Sequence, residues 1–355
     1  MAKVTFNNKE SVFYNSLRVK VRKHFSEKGI PSTGNYRLYI KAFTLIPSAF
    51  IIYFSLLFLN LNPFLAIFLC GLMGFTLASI GFNVMHDACH GSYSSKNWVN
   101  NLFGLSINCM GGNAFIWKMK HNIIHHTYTN VDGLDDDIQK LPVIRQCESQ
   151  KRMRLHKYQH YYSPVVYALS SFLWVFLMDF LKYFNQKVLN TPIYKINAKE
   201  HVVFWLSKLL YVVFYIAVPV YFVGVWPWLI GFSVMHLVEG FTLAMVFQLA
   251  HVVEDTHFVN ANHEEQRIEQ EWAIHQVRTT ANFAIKNKII SWFVGGLNFQ
   301  VEHHLFPKVS HVHYPAISKL VQECCKEYNI AYINYPTLRT AVLSHFRFMK
   351  YLARN

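Results

Sequence analysis

The chain has 355 residues, of which 52% are apolar, 16% aromatic and only 15% charged, where ordinary soluble domains carry roughly 25% charged residues. That balance excludes the pair of soluble domains the length alone would suggest and points to an integral membrane protein. The formal net charge of +14 suits anionic headgroups on a cytoplasmic membrane face, and no segment forms the basic, aromatic-interleaved face that would make nucleic acid a partner.

Taken in chain order, segment 1–41 holds nine Lys/Arg against two Glu and lacks the short apolar core of a signal peptide. The positive-inside tendency puts it in the cytoplasm. Segments 42–61 and 63–85 are each apolar enough to cross a bilayer, which takes about 20 helical residues, and they make a first hairpin over 42–85. Residues 86–201 are highly charged and are expected as a cytoplasmic cap. Within them 164–184, "PVVYALSSFLWVFLMDFLKYF", is apolar but contains Asp179 and Lys182 and has basic flanks. It is expected to lie in the interface or re-enter, because a crossing would put the histidine clusters before and after it on opposite faces. Segments 202–223 and 227–250 make a second hairpin over 202–250, and 251–355 a cytoplasmic C-terminal cap. The links near Asn60–Pro63 and "VGVWPW" at 223–228 carry no charge and suit the opposite side. The expected fold is thus all-α and integral to the membrane: one domain over 1–355, four transmembrane helices in two hairpins, and a cytoplasmic helical cap. Six cysteines (Cys70, Cys89, Cys109, Cys147, Cys324, Cys325) show no CxxC pair and read as free thiols.

Histidines concentrate at the ends of these segments. "HDACH" places His86 and His90 four apart at the end of the second span, on one face of a continuing helix. "HNIIHH" gives His121, His125 and His126; on an α-helix 121 and 125 share a face and 126 is turned by about 100°. His251 closes the fourth span, and "FQVEHHLFP" at 299–307 supplies Gln300, His303 and His304. One tetrahedral zinc needs four ligands, so eight histidines and a glutamine at one membrane depth are sized for two ions. Neutral imidazole ligands with open positions suit redox-active iron and O2. Asp87, Glu302 and Glu254 sit beside ligand histidines and are candidates to accept a ring N–H and fix its tautomer. His236 and Glu239 lie inside the fourth span, about 18–22 Å from His251 at 1.5 Å per residue. They read either as a paired structural couple or as the far end of a substrate tunnel. His156, His160, His257, His263, His275, His311 and His313 read mostly as surface or packing residues, with His275 the first to examine.

At these residues the chain resembles the membrane-bound fatty acid desaturases, and within them the front-end acyl desaturases. The resemblance rests on "HDACH", "HNIIHHTYTNVDGLDDDI", "FQLAHVVED" and "NFQVEHHLFPKVSHVHYPAI" and runs over nearly the whole chain. It implies a di-iron enzyme that uses O2 and two electrons to introduce a cis double bond, front-end members placing it between the carboxyl end and an existing double bond. His86, His90, His121, His125, His126, His251, His303 and His304 match the iron-binding positions. Gln300 stands where stearoyl-CoA desaturases have a histidine. Those enzymes also hold iron through an Asn-bound water one turn before the counterpart of His251, where this chain has Phe247 with Gln248 beside it. Segment 1–41 is too short for a fused cytochrome b5 domain and lacks its "HPGG", so the resemblance implies a separate ferredoxin or cytochrome b5 as electron donor. The implied acyl substrate is an ester of CoA, a lipid or acyl carrier protein, with the enzyme in a bacterial plasma membrane or, alternatively, the endoplasmic reticulum. Two rival functions share parts of this pattern: a di-iron hydroxylase of fatty acid, sterol or carotenoid, and a metal transporter. A transporter would set its polar ligands along mid-membrane spans rather than at one end.

Overall fold

A computed structural model describes residues 4–139, 142–260 and 267–355; His263 lies outside them. The fold is mostly helical. Four of its helices are long and apolar enough to cross a membrane among the described residues: α2 (Tyr36–Phe58), α3 (Pro63–His90), α6 (Ala198–Val223) and α7 (Val225–His251). They are preceded by an amphipathic α1 (Val12–Lys28) that buries Phe13, Leu17 and Val21.

The termini of these helices follow from local chemistry. The Asn35 side chain accepts the Arg37 N–H at the start of α2. Asn62 does the same for Leu65 N at the start of α3, where Pro63 fills a position that needs no N–H. Gly91, in the left-handed region at φ 76°, ends α3 just past His90. Gly224 at φ 83° separates α6 from α7, so each pair is a hairpin with a short connection. Only 17% of the most apolar stretch of α6 is buried inside the protein. Its Leu, Phe and Trp side chains are an apolar outer wall, suited to lipid.

Within the bundle α3 and α7 pack along one another, and the approach is close. A Cβ on Gly74 would overlap the Met235 carbonyl. The stretch expected to lie in the interface forms two helices, α4 (Arg154–Ala168) and α5 (Ser170–Asn185), bent by 59° between them. The bend packs on α7 so tightly that a Cβ on Gly240 would overlap the Ala168 carbonyl, and the Ser170 hydroxyl donates to Gly240 O at 3.0 Å. Its two charged residues are buried in pairs: Asp179 with Lys208 at 3.3 Å and Lys182 with Asp136 at 2.6 Å.

The remaining residues build a cap over one end of the bundle. It contains α8 (Trp272–Thr279), α9 (Gln300–Leu305), α10 (Tyr314–Glu327) and α11 (Leu338–Arg354). Helices α1, α8 and α10 share a core that includes Leu17, Val277, Ile317 and Val321. Two-residue strand pairs tie distant segments together: Val131–Asp132 runs parallel to Val259–Asn260, and Asn282–Phe283 to Asn334–Tyr335. The first joins the second histidine cluster to the chain leaving α7.

Candidate metal centre

The first two histidine clusters sit where the helix geometry changes. Residues Gly81–Met85 of α3 form a π-helical segment immediately before His86, and Met119–His125 form another. Such wide turns collect at functional sites. The second one alters the spacing expected of an α-helix. His126 N donates to His121 O at 3.1 Å, an i to i+5 bond, so both His125 and His126 flank His121. The ring nitrogens His121 Nε2 and His126 Nε2 come within 3.3 Å, where an α-helix would have turned 126 aside.

The cap closes on these rings from above and brings all eight histidines together. Single nitrogens of His86, His90, His121 and His303 lie within 4.8 Å of one another, and so do those of His125, His251 and His304. His126 joins His303 and His304 in a further group of the same span. The result is two adjoining loci, one facing the end of α3 and one facing the end of α7, with His126 between them.

The second ring nitrogen of several histidines is held from behind. His125 Nδ1 meets Asp135 Oδ2 at 3.0 Å, His303 Nδ1 meets the Tyr314 hydroxyl at 3.1 Å, and His304 Nδ1 meets Gln276 Oε1 at 2.8 Å. His251 Nδ1 faces Thr279 O at 3.3 Å. The opposite nitrogens of His90, His125, His303 and His304 (Nε2) are buried with no hydrogen-bond partner, as are Nδ1 of His86 and His126. A buried polar atom left unpaired costs about 1–3 kcal/mol, and six in one cluster are the donor set of a metal site. Burial, followed by the neighbouring rings, pushes the pKa of His121, His126, His303 and His304 well below the ordinary value. These imidazoles are therefore neutral and present lone pairs without first losing a proton. The residues present fit metal ions.

Placement of the neighbouring carboxylates differs from the expectation. Asp87 Oδ1 is 4.0 Å from His86 Nδ1, while its Oδ2 is engaged by Ser310 and His311. Glu302 is buried but points away from the rings. It accepts from Asn282 Nδ2 and the Tyr332 hydroxyl, each at 2.7 Å, and Asn282 in turn accepts Val301 N at 2.9 Å at the start of α9. Glu254 is exposed at the cap surface. Sequence adjacency to a histidine misleads here because successive side chains on a helix point about 100° apart. The carboxylate that reaches a ring is Asp135, with Asp137 Oδ2 3.7 Å from the same nitrogen. Both belong to the acidic run after the second cluster, which was the available signal. Nothing in the spacing pointed to Gln276 or Tyr314.

His275 is a brace rather than a member of the cluster: its Nε2 lies 2.8 Å from Thr129 O, and it is its neighbour Gln276 that touches His304. His156 bonds Pro142 O at 2.8 Å and His313 bonds Thr33 O at 3.0 Å. Phe247 packs over the rings of His125 and His251, centroids 5.2 and 4.6 Å away. Gln248 turns from the cluster and accepts from Gln146 Nε2 at 2.8 Å. Gln300 is within hydrogen-bonding range of His251.

A cavity of about 230 Å³ opens beside the cluster, with His86, His121, His251, Gln300 and His303 on one wall. Phe82, Met110, Leu243 and Phe247 make its apolar sides, and Ser170 and Ser171 line it where α4 bends into α5. His236 stands behind Ser171, its Nδ1 2.9 Å from the serine hydroxyl and its Nε2 2.7 Å from the Tyr211 hydroxyl. Glu239 is 3.9 Å from the same ring. Where polar groups line the cavity they are largely paired, as Lys120 with Asp137 at 2.6 Å. Burial opposes the charge of Lys120, but Asp137 and Asp136 outweigh it and raise its pKa.

A model of the fatty acid desaturase family matches residues 58–336. The sn-1 linoleoyl-lipid 6-desaturase of Synechocystis sp. is 33% identical over 99% of this chain and 98% of its own length. That of Arthrospira platensis is 33% identical over 100% and 96%. The acyl-lipid (8-3)-desaturase of Physcomitrium patens is 35% identical over 95% of this chain and 71% of its own. A helical membrane protein with histidine clusters able to bind metal beside a largely apolar cavity, this chain belongs to the fatty acid desaturase family. It is an oxidoreductase, a fatty acyl desaturase of the front-end type.

Proposed function

We propose that the two histidine loci hold two iron ions through His86, His90, His121, His125, His126, His251, His303 and His304, with Gln300 beside His251 at the second. Iron with O2 and two electrons would supply an oxidant able to break aliphatic C–H bonds, which no side chain can do by acid–base chemistry. This chain does the rest. The neutral imidazoles hold the ions; Asp135, Gln276, Tyr314 and the Thr279 carbonyl fix ring orientation from behind. The apolar cavity wall excludes water and aligns one pair of methylenes against the cluster, which is where selectivity resides. Phe247 carries no donor, so the second locus has one fewer candidate ligand at that turn, and the Gln300 amide is the polar group nearest to making it up.

We place both hairpins with their closed ends away from the cytoplasm and the whole of 1–355 in one desaturase domain capped on the cytoplasmic side of a bacterial-type membrane. The excess of Lys/Arg in 1–41 supports this side. The substrate we favour is a lipid-linked acyl chain, as the names of the relatives describe for them, and the electrons come from a separate ferredoxin or cytochrome b5. The observation that carries the reading is the convergence of eight histidines, six of whose nitrogens are buried and unpartnered, on the wall of a cavity able to hold an alkyl chain. Expression in a host without desaturases, fed defined acyl chains, tests it. A new double bond on the carboxyl side of an existing one is expected. A hydroxylated chain without a new double bond would overturn the reading, and freely exchanging metal with no acyl product would favour transport.

A further inference from the structure

A dense patch of positive charge lies on the surface, outside the metal centre. Segments 142–160 and 346–355 together hold eight Lys/Arg and one carboxylate, Glu148. The fold packs the two segments against each other: Gln159 Nε2 donates to Met349 O at 2.9 Å, and Arg145 Nη1 to Leu352 O at 2.7 Å. Arg145 is buried, and its Nε also donates to Gln150 O at 2.7 Å, so the turn before α4 is folded around a guanidinium. That turn, the start of α4 and the end of α11 present Lys151, Arg152, Arg154, Lys157, Lys350 and Arg354 to the outside, all of them exposed. Lys350 and Arg354 stand close enough for their charges to act on His160 of α4. Glu148 accepts from the Tyr351 hydroxyl at 2.6 Å, and no carboxylate among the described residues pairs with any of these bases.

Along α4 the bases give way to an exposed row of Leu155, Tyr158, Tyr161, Val165 and Leu169, three or four residues apart and so on one side of the helix. Past the bend, α5 continues the row with exposed Phe176, Leu177, Leu181 and Phe184. Bases, then tyrosines, then aliphatic side chains is the order in which a bilayer offers headgroup phosphates, interface and hydrocarbon. We propose that this face binds the headgroups of anionic phospholipids, with the phosphates seated on the exposed bases and the acyl chains lying against the row beyond them. An acidic soluble protein would match the charge but would leave the apolar row against water. The inference rests on the membrane placement proposed above. Its consequence is local: Val166, Tyr167, Ser170 and Ser171 line the cavity from the other side of the same two helices. Lipid held on the outer face therefore ties that wall of the cavity to the bilayer surface.

The test uses the full-length protein in detergent micelles and reads binding, not turnover. Dioleoyl phosphatidylglycerol or dioleoyl phosphatidylcholine is titrated in, with retained lipid counted by native mass spectrometry and the melting temperature followed in parallel. Each base near an anionic surface strengthens association about fivefold. The wild type should therefore hold phosphatidylglycerol at least about tenfold more tightly than phosphatidylcholine, melt at a higher temperature with it, and lose the preference in about 0.5 M salt. The combined variant Lys151→Gln, Arg154→Gln, Lys157→Gln and Lys350→Gln, all at exposed positions, should bind phosphatidylglycerol about 100-fold more weakly. Arg22→Gln with Lys23→Gln and Lys28→Gln, on α1, should leave that binding unchanged. Undiminished retention in the first variant, or equal retention of both lipids by the wild type, would overturn the proposal. Displacement of the lipid by an equal concentration of glycerol phosphate would also overturn it, in favour of a site for free phosphate. Lost binding of an acidic ferredoxin with lipid retention intact would reassign the patch to the electron donor. If the combined variant fails to fold, Lys151→Gln with Lys350→Gln, expected to weaken retention about 25-fold, carries the same overturning result. A wild-type chain that stays in solution without detergent would refute the membrane placement and this proposal with it, whereas a missing desaturated product would bear only on the proposed reaction.

Discussion

At the scale of single residues, what matters is which atom of each histidine is free. The pairing of His125 Nδ1 with Asp135 leaves Nε2 aimed into the cluster. Asp135→Asn keeps the shape but removes the charge that fixes the ring, and should lower iron affinity by about 10–100-fold; equilibrium metal titration of the purified variant reads this directly. Two other histidines set a pH dependence. Burial lowers His275 and His345 to a pKa of about 4, although each bonds a backbone carbonyl, Thr129 and Val252 respectively. An unfolded histidine binds its proton near pH 6.5, so between about pH 6.5 and 4 the unfolded chain holds more protons than the folded one. Stability is therefore level above pH 7 and falls as the pH drops through that window, by on the order of 3 kcal/mol for each ring. Thermal unfolding of the iron-free protein from pH 7.5 to 4.5 should show the decline, to which the neutral cluster rings add, and His275→Gln should make it shallower by the share of one ring.

At the scale of elements, the bend between α4 and α5 is the decisive feature. It carries Ser170 and Ser171 against Gly240, where any side chain on the glycine would strike the Ala168 carbonyl. Gly240→Val should destabilise by about 1–3 kcal/mol through overpacking, seen as a lowered melting temperature with the iron content of the surviving protein unchanged. The same bend bounds the cavity, so Ser171→Phe should narrow it where the acyl chain runs deepest. The expected outcome is a shift of product towards shorter chains in a mixed feeding experiment. An unshifted profile would mean that the chain takes another path past the cluster. His236 explains why polar groups at this depth are tolerated: its ring joins Ser171 to Tyr211 and so ties α5 and α6 to α7.

At the scale of the whole molecule, two hairpins and a cap must all open towards the same side for the three clusters to meet. Single cysteines introduced at Asn8 and Asn355 should therefore be labelled only from the cytoplasmic side, and ones at Leu61 and Gly224 only from the other. Labelling at Asn8 and Asn355 from opposite sides would sink the two-hairpin topology. Much of this organisation was legible beforehand, because apolar length and terminal histidines are local properties of the chain. The four long apolar helices fall within a few residues of the expected segments, with α2 beginning earlier, at Tyr36, and α3 running on to His90. The two π-helical segments at the histidine clusters were not legible. An i to i+5 turn is adopted only when packing around it repays its poorer geometry, and "HNIIHH" reads equally well as an ordinary helix.

Length, apolar content, the end-of-helix histidines and Gln300 were determined by the sequence alone, since the bilayer and the metal each demand particular residue types at particular spacings. Which carboxylate serves which ring was decided only by the tertiary structure. Asp87 and Glu302 lie next to ligands in sequence yet turn to His311 and Tyr332, while Asp135 and Gln276 arrive at His125 and His304 from the turn after the second cluster and from the cap. A ring nitrogen selects the partner that folding puts in hydrogen-bonding range, and neighbours along a helix point in different directions. The same holds for Lys41, whose place in an apolar helix makes sense only beside His311, 270 residues further along the chain.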